Sequence, residues 1–161
     1  MGAPALRALD RPGDLGWVVE RHGTLYAAEH GWDQSFEALV AGIMARFSPG
    51  PREDGWIAEV DGRRAGCVLC TASPERPDVG KLRTLIVEPE ARGHGVGRLL
   101  VERCIGFARE AGYARIELWT TENLVAAGRL YEAFGFEVVR EVREEAFGTE
   151  VLSRHMELEL G

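Results

Sequence analysis

Six consecutive residues, Arg92-Gly93-His94-Gly95-Val96-Gly97, have the types and spacing that can hold a phosphate. They follow an apolar run over 79–87 and a turn at Pro89, and they open a segment of helical periodicity. A loop of this kind presents several backbone N–H groups in one concavity. The helix behind it adds the unpaired N–H groups of its first turn and the positive end of its dipole. Together these bind phosphate oxygens with little side-chain charge. Glycine at Gly95 and Gly97 keeps a Cβ from standing between backbone and anion, or permits a positive φ. Two common phosphate readers are excluded. No Gly-Lys-Ser/Thr follows, as a P-loop needs, and Gly97 comes one residue too early for the dinucleotide fingerprint. Taken alone, the loop also fits an ordinary strand-to-helix turn.

A second block, NLVAAGRLYEAFGF over 123–136, changes that balance. Arg-x-x-Gly-x-Gly followed at this distance by Tyr-Glu-x-x-Gly-Phe resembles the GNAT superfamily of N-acetyltransferases, which bind acetyl-CoA. The resemblance spans nearly the whole chain and is most specific over 81–136. It implies roles for particular residues. Leu85, Ile86 and Val87 would pair by their backbone with the pantetheine arm, and an N–H there would polarise the thioester carbonyl. Arg92, Gly93, His94, Gly95, Val96, Gly97 and Arg98 would cradle the pyrophosphate, His94 by its N–H alone. Asn123 would contact the pantetheine arm, although an Asn at this point also suits a helix cap. Tyr131, otherwise a core tyrosine on an amphipathic helix, matches the family's general acid. A phenol with a pKa of about 10 can protonate a leaving thiolate.

The resemblance departs at the general base. Many members carry a Glu in the strand before the phosphate loop, and the strand here, VGKLRTLIV, has no acid. Glu88 follows it, toward the loop. Glu29 and His30 end the first helix, which flanks the acceptor side in this fold, so Glu29 is the candidate base, with a water relay as the alternative. Tyr26, Glu29 and Trp32 would line the acceptor pocket. The implied activity is direct transfer of acetyl from acetyl-CoA to a primary amine of a small molecule or peptide. The alternative is a non-catalytic acyl-CoA-binding or sensing domain. A narrower resemblance lies in the run RPGDLGWVVERHGTLYAAEHGW, which looks like the acetyltransferase half of proteins that fuse a MarR-type regulator to a GNAT domain. No winged-helix segment precedes it, so no DNA binding is carried over.

The elements that must position these residues are readable in outline. A strand is expected over 5–9, then a helix over 14–30 stopped by Gly31. Asp33 caps a second helix reaching Phe47, with Phe36, Leu39 or Val40, Ile43 and Phe47 inward. Strands over 55–60 and 63–72 flank Asp61-Gly62, a hairpin signal. A strand over 79–87, a helix over 96–111 ended by Gly112, a strand over 115–120 and a helix over 123–134 ended by Gly135 follow. Strands over 137–145 and 150–159 close the chain around Phe147-Gly148. The expected class is α/β, a mixed and mostly antiparallel sheet with helices on both faces, in one acetyltransferase domain over 1–161.

Bulk composition narrows the partners. The 161 residues are 45% hydrophobic and 28% charged, as in ordinary globular proteins. A net charge of −7 disfavours nucleic acid as a partner and suits a cationic acceptor. Of the three cysteines, Cys67 and Cys70 form a CxxC that would point to opposite strand faces, with no second pair to complete a metal site. No metal is expected, and reduced thiols suit the cytoplasm. No signal peptide or membrane span is seen. Strand edges in this fold pair into dimers, so a homodimer is expected by analogy alone.

Overall fold

The computed structural model describes residues 1–161. The chain runs β1 (Ala5–Ala8), α1 (Asp14–His30), α2 (Gln34–Arg46), β2 (Asp54–Val60), β3 (Arg63–Ala72), β4 (Val79–Val87), a 3₁₀ turn (Pro89–Ala91), α3 (Val96–Glu110), β5 (Arg115–Thr121), α4 (Val125–Ala133), β6 (Glu137–Ala146) and β7 (Thr149–Glu159). One seven-stranded sheet has the order β1-β2-β3-β4-β5-β7-β6. Every pairing is antiparallel except β4 with β5. One face buries Leu100, Cys104 and Phe107 of α3 with Tyr131 of α4. The other buries Val18 and Leu25 of α1 with Phe36, Val40 and Met44 of α2. No helix is long and apolar enough to cross a membrane.

Local chemistry explains most boundaries. Asp61 and Gly62 both have positive φ, 52° and 75°, as the tight turn between β2 and β3 requires. The Asp33 carboxylate accepts the Ser35 N–H at 3.0 Å and caps α2. Two expectations change. The buried stripe of α2 is Phe36, Val40 and Met44, with Ile43 and Phe47 packed half-buried beside it as expected, while Leu39 is exposed. Helix α4 begins at Val125 with Leu124 at its cap position, so Asn123 lies outside it and does not cap it. Its side chain is drawn instead to Thr121 and His30.

Strand β4 carries the feature that shapes the site. Its ladder to β3 pairs Cys67 with Ile86 but Leu69 with Arg83, so β4 holds an extra residue in a bulge. Thr84 sits there with φ 56°, a conformation costly for a β-branched residue. Two hydrogen bonds hold it. The Thr84 hydroxyl donates to the Arg83 carbonyl at 2.7 Å, and the Cys67 thiol donates to the Thr84 carbonyl at 3.1 Å. Burial pushes the Cys67 thiol pKa up, which keeps the donor protonated. The bulge reverses the alternation of side chains. Leu82 faces the α3 side, yet so do Leu85 and Val87, while Ile86 joins the α1–α2 side. Cys67 and Cys70 fall in opposite cores, as their spacing implies, so they do not converge.

Helix α1 is fastened at its start by Asp14, which is fully buried. Its carboxylate accepts two hydrogen bonds from Arg7 at 2.8 and 2.9 Å, one from Arg64 at 2.9 Å and one from the Arg11 N–H at 2.9 Å. Burial alone would raise its pKa, but the bonds from Arg7, Arg11 and Arg64 outweigh it and hold the carboxyl well below the usual range. A depressed folded-state pKa gives stability that is present above the unfolded value, about 4, and lost as pH falls below it. Asp14→Asn takes the carboxylate from Arg64 and leaves Arg7 with Glu59 alone, which costs about 1.5–3 kcal/mol. The melting temperature should fall on the order of 10 °C at pH 7. Thermal scans should also show the gap between wild type and variant closing from about pH 4 downward. A gap unchanged by acid would contradict the assignment.

Candidate active site

Strands β4 and β5 pair over only three residues, Val79 to Arg115, Gly80 to Ile116 and Lys81 to Glu117. Beyond Lys81 they part, which leaves one edge of β4 without a strand partner. Leu85, Ile86 and Val87 lie on that stretch. The gap opens into a cavity of about 570 Å³ bordered by Leu85, Tyr131, Tyr26, Trp32 and Trp119. The expected backbone docking edge and the expected acid therefore border one space.

At the end of β4 the loop turns into α3. Gly93 and Gly95 both have φ 81°, and a Cβ at either would meet nothing within 4 Å. Open space and left-handed backbone are what an exposed cradle needs. The N–H groups of Gly93, His94, Gly95, Val96, Gly97 and Arg98 donate to no group in the protein, and the first bond of the helix runs from Leu99 N–H to the Gly95 carbonyl at 3.0 Å. These unpaired donors at a helix N-terminus fit a pyrophosphate. Gly97 serves differently from expectation. A Cβ there would come within 3.1 Å of Leu130, so glycine lets α4 approach α3. The two arginines are also engaged elsewhere. Arg92 forms a two-pronged pair with Glu29 at 2.7 and 2.8 Å and reaches the Val87 carbonyl at 3.3 Å. Arg98 lies over the Phe134 ring at 5.4 Å.

Tyr131 is 5% exposed, and its ring packs edge-on against Phe136 with centroids 5.7 Å apart. Its hydroxyl has no hydrogen-bond partner in the protein, although it borders the cavity. Burial raises its pKa, so the proton is retained until a stronger base arrives. A thiolate formed in the same apolar space would be destabilised by the same cause, as the expected role of Tyr131 as acid requires.

The side expected to take the acceptor is aromatic. Trp32 contacts Tyr26 at 5.2 Å, Phe36 at 4.8 Å and Trp119 at 6.3 Å between ring centroids. Burial pushes the Tyr26 pKa up to about 12. His22, on the buried face of α1, also borders the cavity. Its Nδ1 lies 2.7 Å from the Val18 carbonyl, and burial lowers its pKa to about 4, so it is neutral.

Glu29 and Glu88 are both paired. The Arg92 hydrogen bonds lower the Glu29 pKa and make it a weaker base than a free carboxylate. Glu88 is buried and bound by Arg21 at 2.8 and 3.2 Å. His30 is half-buried, its pKa lowered by burial, and its Nδ1 is 3.1 Å from the Asn123 amide. Nothing in the spacing of Glu29, Arg92, His30 and Asn123 signals these contacts, because each joins residues 63 to 93 positions apart.

The profile of the acetyltransferase (GNAT) family matches residues 11–136. An uncharacterised N-acetyltransferase of Schizosaccharomyces pombe is 33% identical over 115 residues, which is 69% of this chain and 69% of that protein. The N-acetylaspartate synthetase of Rattus norvegicus is 35% identical over 97 residues, 60% of this chain and 32% of that one. The chain thus spans from about a third to just over two thirds of the curated relatives it matches. Among solved structures, the acetyltransferase YncA of Salmonella typhimurium, determined with its cofactor acetyl-CoA, superposes with a TM-score of 0.74 at 20% identity over 99% of this chain and 95% of that one. At that identity the likeness is one of fold.

Coenzyme A should raise the melting temperature by mass action. Gly95→Val places a β-branched residue at φ 81° in the cradle. It should abolish the shift while the apo protein keeps a cooperative transition, lowered by the strain. An undiminished shift in the variant would show that the loop is not the phosphate site.

Proposed function

The chain belongs to the GNAT acetyltransferase family, and from that premise we propose that it transfers the acetyl group of acetyl-CoA directly to a primary amine of a small molecule or peptide. The observation that carries this reading is the unpartnered Tyr131 hydroxyl bordering the same cavity as Leu85. When bound, the cofactor supplies an acetyl thioester. The N–H groups of Gly93, His94, Gly95, Val96, Gly97 and Arg98 hold its pyrophosphate, and the free edge at Leu85, Ile86 and Val87 takes the pantetheine arm. A backbone N–H on that edge stabilises the negative charge that develops on the carbonyl oxygen. Tyr26, Trp32 and Trp119 exclude water and hold the acceptor against this edge, so positioning supplies much of the rate.

The atoms balance without a covalent enzyme intermediate. The acceptor nitrogen forms the new C–N bond, the C–S bond breaks, and Tyr131 gives its proton to the departing sulfur. The acceptor ammonium loses one proton to water before attack, which frees its lone pair, and a second as the amide forms, and Tyr131 is reprotonated from solvent. Glu29 stands beside the acceptor side, but its pair with Arg92 suits it to fixing the phosphate loop against α1 more than to taking that proton. Asn123 reaches the pantetheine arm from the β5–α4 turn, held there by Thr121 and His30. The run over 11–32 supports kinship with the acetyltransferase half of regulator–GNAT fusions. A cytoplasmic setting agrees with three free, buried thiols.

The reading is tested by monitoring thiol release from acetyl-CoA across a panel of amines. Within that assay Tyr131→Phe keeps the ring and its packing but loses the proton. Turnover should fall by about 10² or more, with coenzyme A affinity within a few-fold. Since the hydroxyl has no protein partner, the melting temperature should hardly change. Intact turnover in Tyr131→Phe would remove the residue from the mechanism and leave water as the proton donor.

A further inference from the structure

Beside its aromatic wall the cavity is bordered by four cations, Arg76, Lys81, Arg83 and Arg140, against three carboxylates, Glu75, Glu117 and Glu157. Arg76 pairs with Glu157 at 2.7 Å and Glu117 at 3.3 Å, and Lys81 reaches Glu117 at 3.7 Å. Arg83 also borders the cavity, half-buried, yet its guanidinium makes no ion pair and no hydrogen bond within the protein. Burial lowers its pKa and the nearby Arg46 cation lowers it further, only partly offset by Glu117 and Glu53. A guanidinium left without an anion in a partly desolvated place is a binding site waiting for one. The surroundings make this pointed, because the chain as a whole carries a net charge of −7.

Its location says which part of a ligand it would meet. Arg83 stands immediately before the bulge at Thr84, where Leu82 faces the α3 core and Arg83 faces the other side. That is the side of Trp119 and of Tyr26, Trp32 and Phe36. Leu85, on the docking edge, is two residues on, across the bulge at Thr84. An anion held by Arg83 therefore lies beside the acceptor and not at the phosphate loop. A planar guanidinium binds a carboxylate through two parallel hydrogen bonds, and this fixes orientation as well as position.

We infer that the acceptor is an amine that also carries a carboxylate, with Arg83 holding the carboxylate while the aromatic walls hold the remainder. This rests on the acetyl-transfer reading. The acceptor class is then amino acids and closely related amino acid-like molecules, and Arg83 is a specificity-determining residue.

The test compares L-amino acids, including acidic and aromatic ones, with their carboxamides and their decarboxylated amines. The wild-type protein should show a ratio of kcat/KM for acid over amide of at least about 10, the value of one two-pronged charged contact. In Arg83→Gln that ratio should fall to near one, driven by KM, and Arg83→Lys should restore part of it. A merely structural role would lower acid and amide together and leave the ratio unchanged. Equal or better use of the amides by wild type, or an unchanged ratio in Arg83→Gln, overturns the inference. Calorimetric binding of the same acids to the coenzyme A complex separates this from a failure of the acetyl-transfer reading. Binding lost in Arg83→Gln upholds the carboxylate site even where no acceptor releases thiol. No binding to wild type, or equal binding to both, removes the site.

Discussion

A single residue in the left-handed region, Thr84, is the constraint on which the site depends. Its bulge turns the end of β4 so that Leu85 and Val87 face the α3 core while Arg83 and Ile86 face α1 and α2. A straight β4 would keep pairing with β5 past Lys81. The edge at Leu85, Ile86 and Val87 would then be spent on a strand ladder, and no cavity would open. The conformation costs on the order of 1–3 kcal/mol. The Thr84 hydroxyl and the buried Cys67 thiol offset it with two hydrogen bonds. Cys67 thereby has a structural purpose that its CxxC spacing does not reveal.

The rest of the molecule holds the two sides of this gap in register. On one side the free N–H groups of the loop and α3 wait at the end of β4, and Tyr131 of α4 closes the cavity. On the other, α1 is fixed at its start by Asp14 to Arg7 and Arg64 and at its end by Glu29 to Arg92. The second tie joins the end of α1 directly to the loop before α3. The pair is largely exposed, so its stabilising energy is small. Its consequence lies in geometry: Arg92 is held by Glu29 and the Val87 carbonyl, which places the loop relative to α1.

Much of this was legible in the residues because it is local. Asp61-Gly62 between alternating apolar runs gives the β2–β3 hairpin, and Asp33 caps α2 through a bond two residues away. Glycines 93 and 95 before a periodic segment give the cradle. What was not legible is long-range or goes against local preference. Threonine is a poor choice for positive φ, so nothing marks the bulge. The Asp14 cluster and the Glu29–Arg92 pair join distant positions, and the second removes Glu29 from easy service as a base. Asn123 looks like a helix cap and is instead drawn to Thr121 and His30. Arg83 reads as an ordinary exposed strand position until the sheet shows that no anion meets it.

Amide hydrogen exchange on the protein with and without coenzyme A measures the central claim directly, because it reads the backbone donors themselves. The N–H groups of Gly93, His94, Gly95, Val96, Gly97 and Arg98 are unpaired in the free protein and should exchange quickly. Bound coenzyme A should slow them by at least about tenfold, together with the amides of Leu85 and Val87 on the free edge. Protection confined to other segments, or fast exchange of the loop under saturating coenzyme A, would contradict the account.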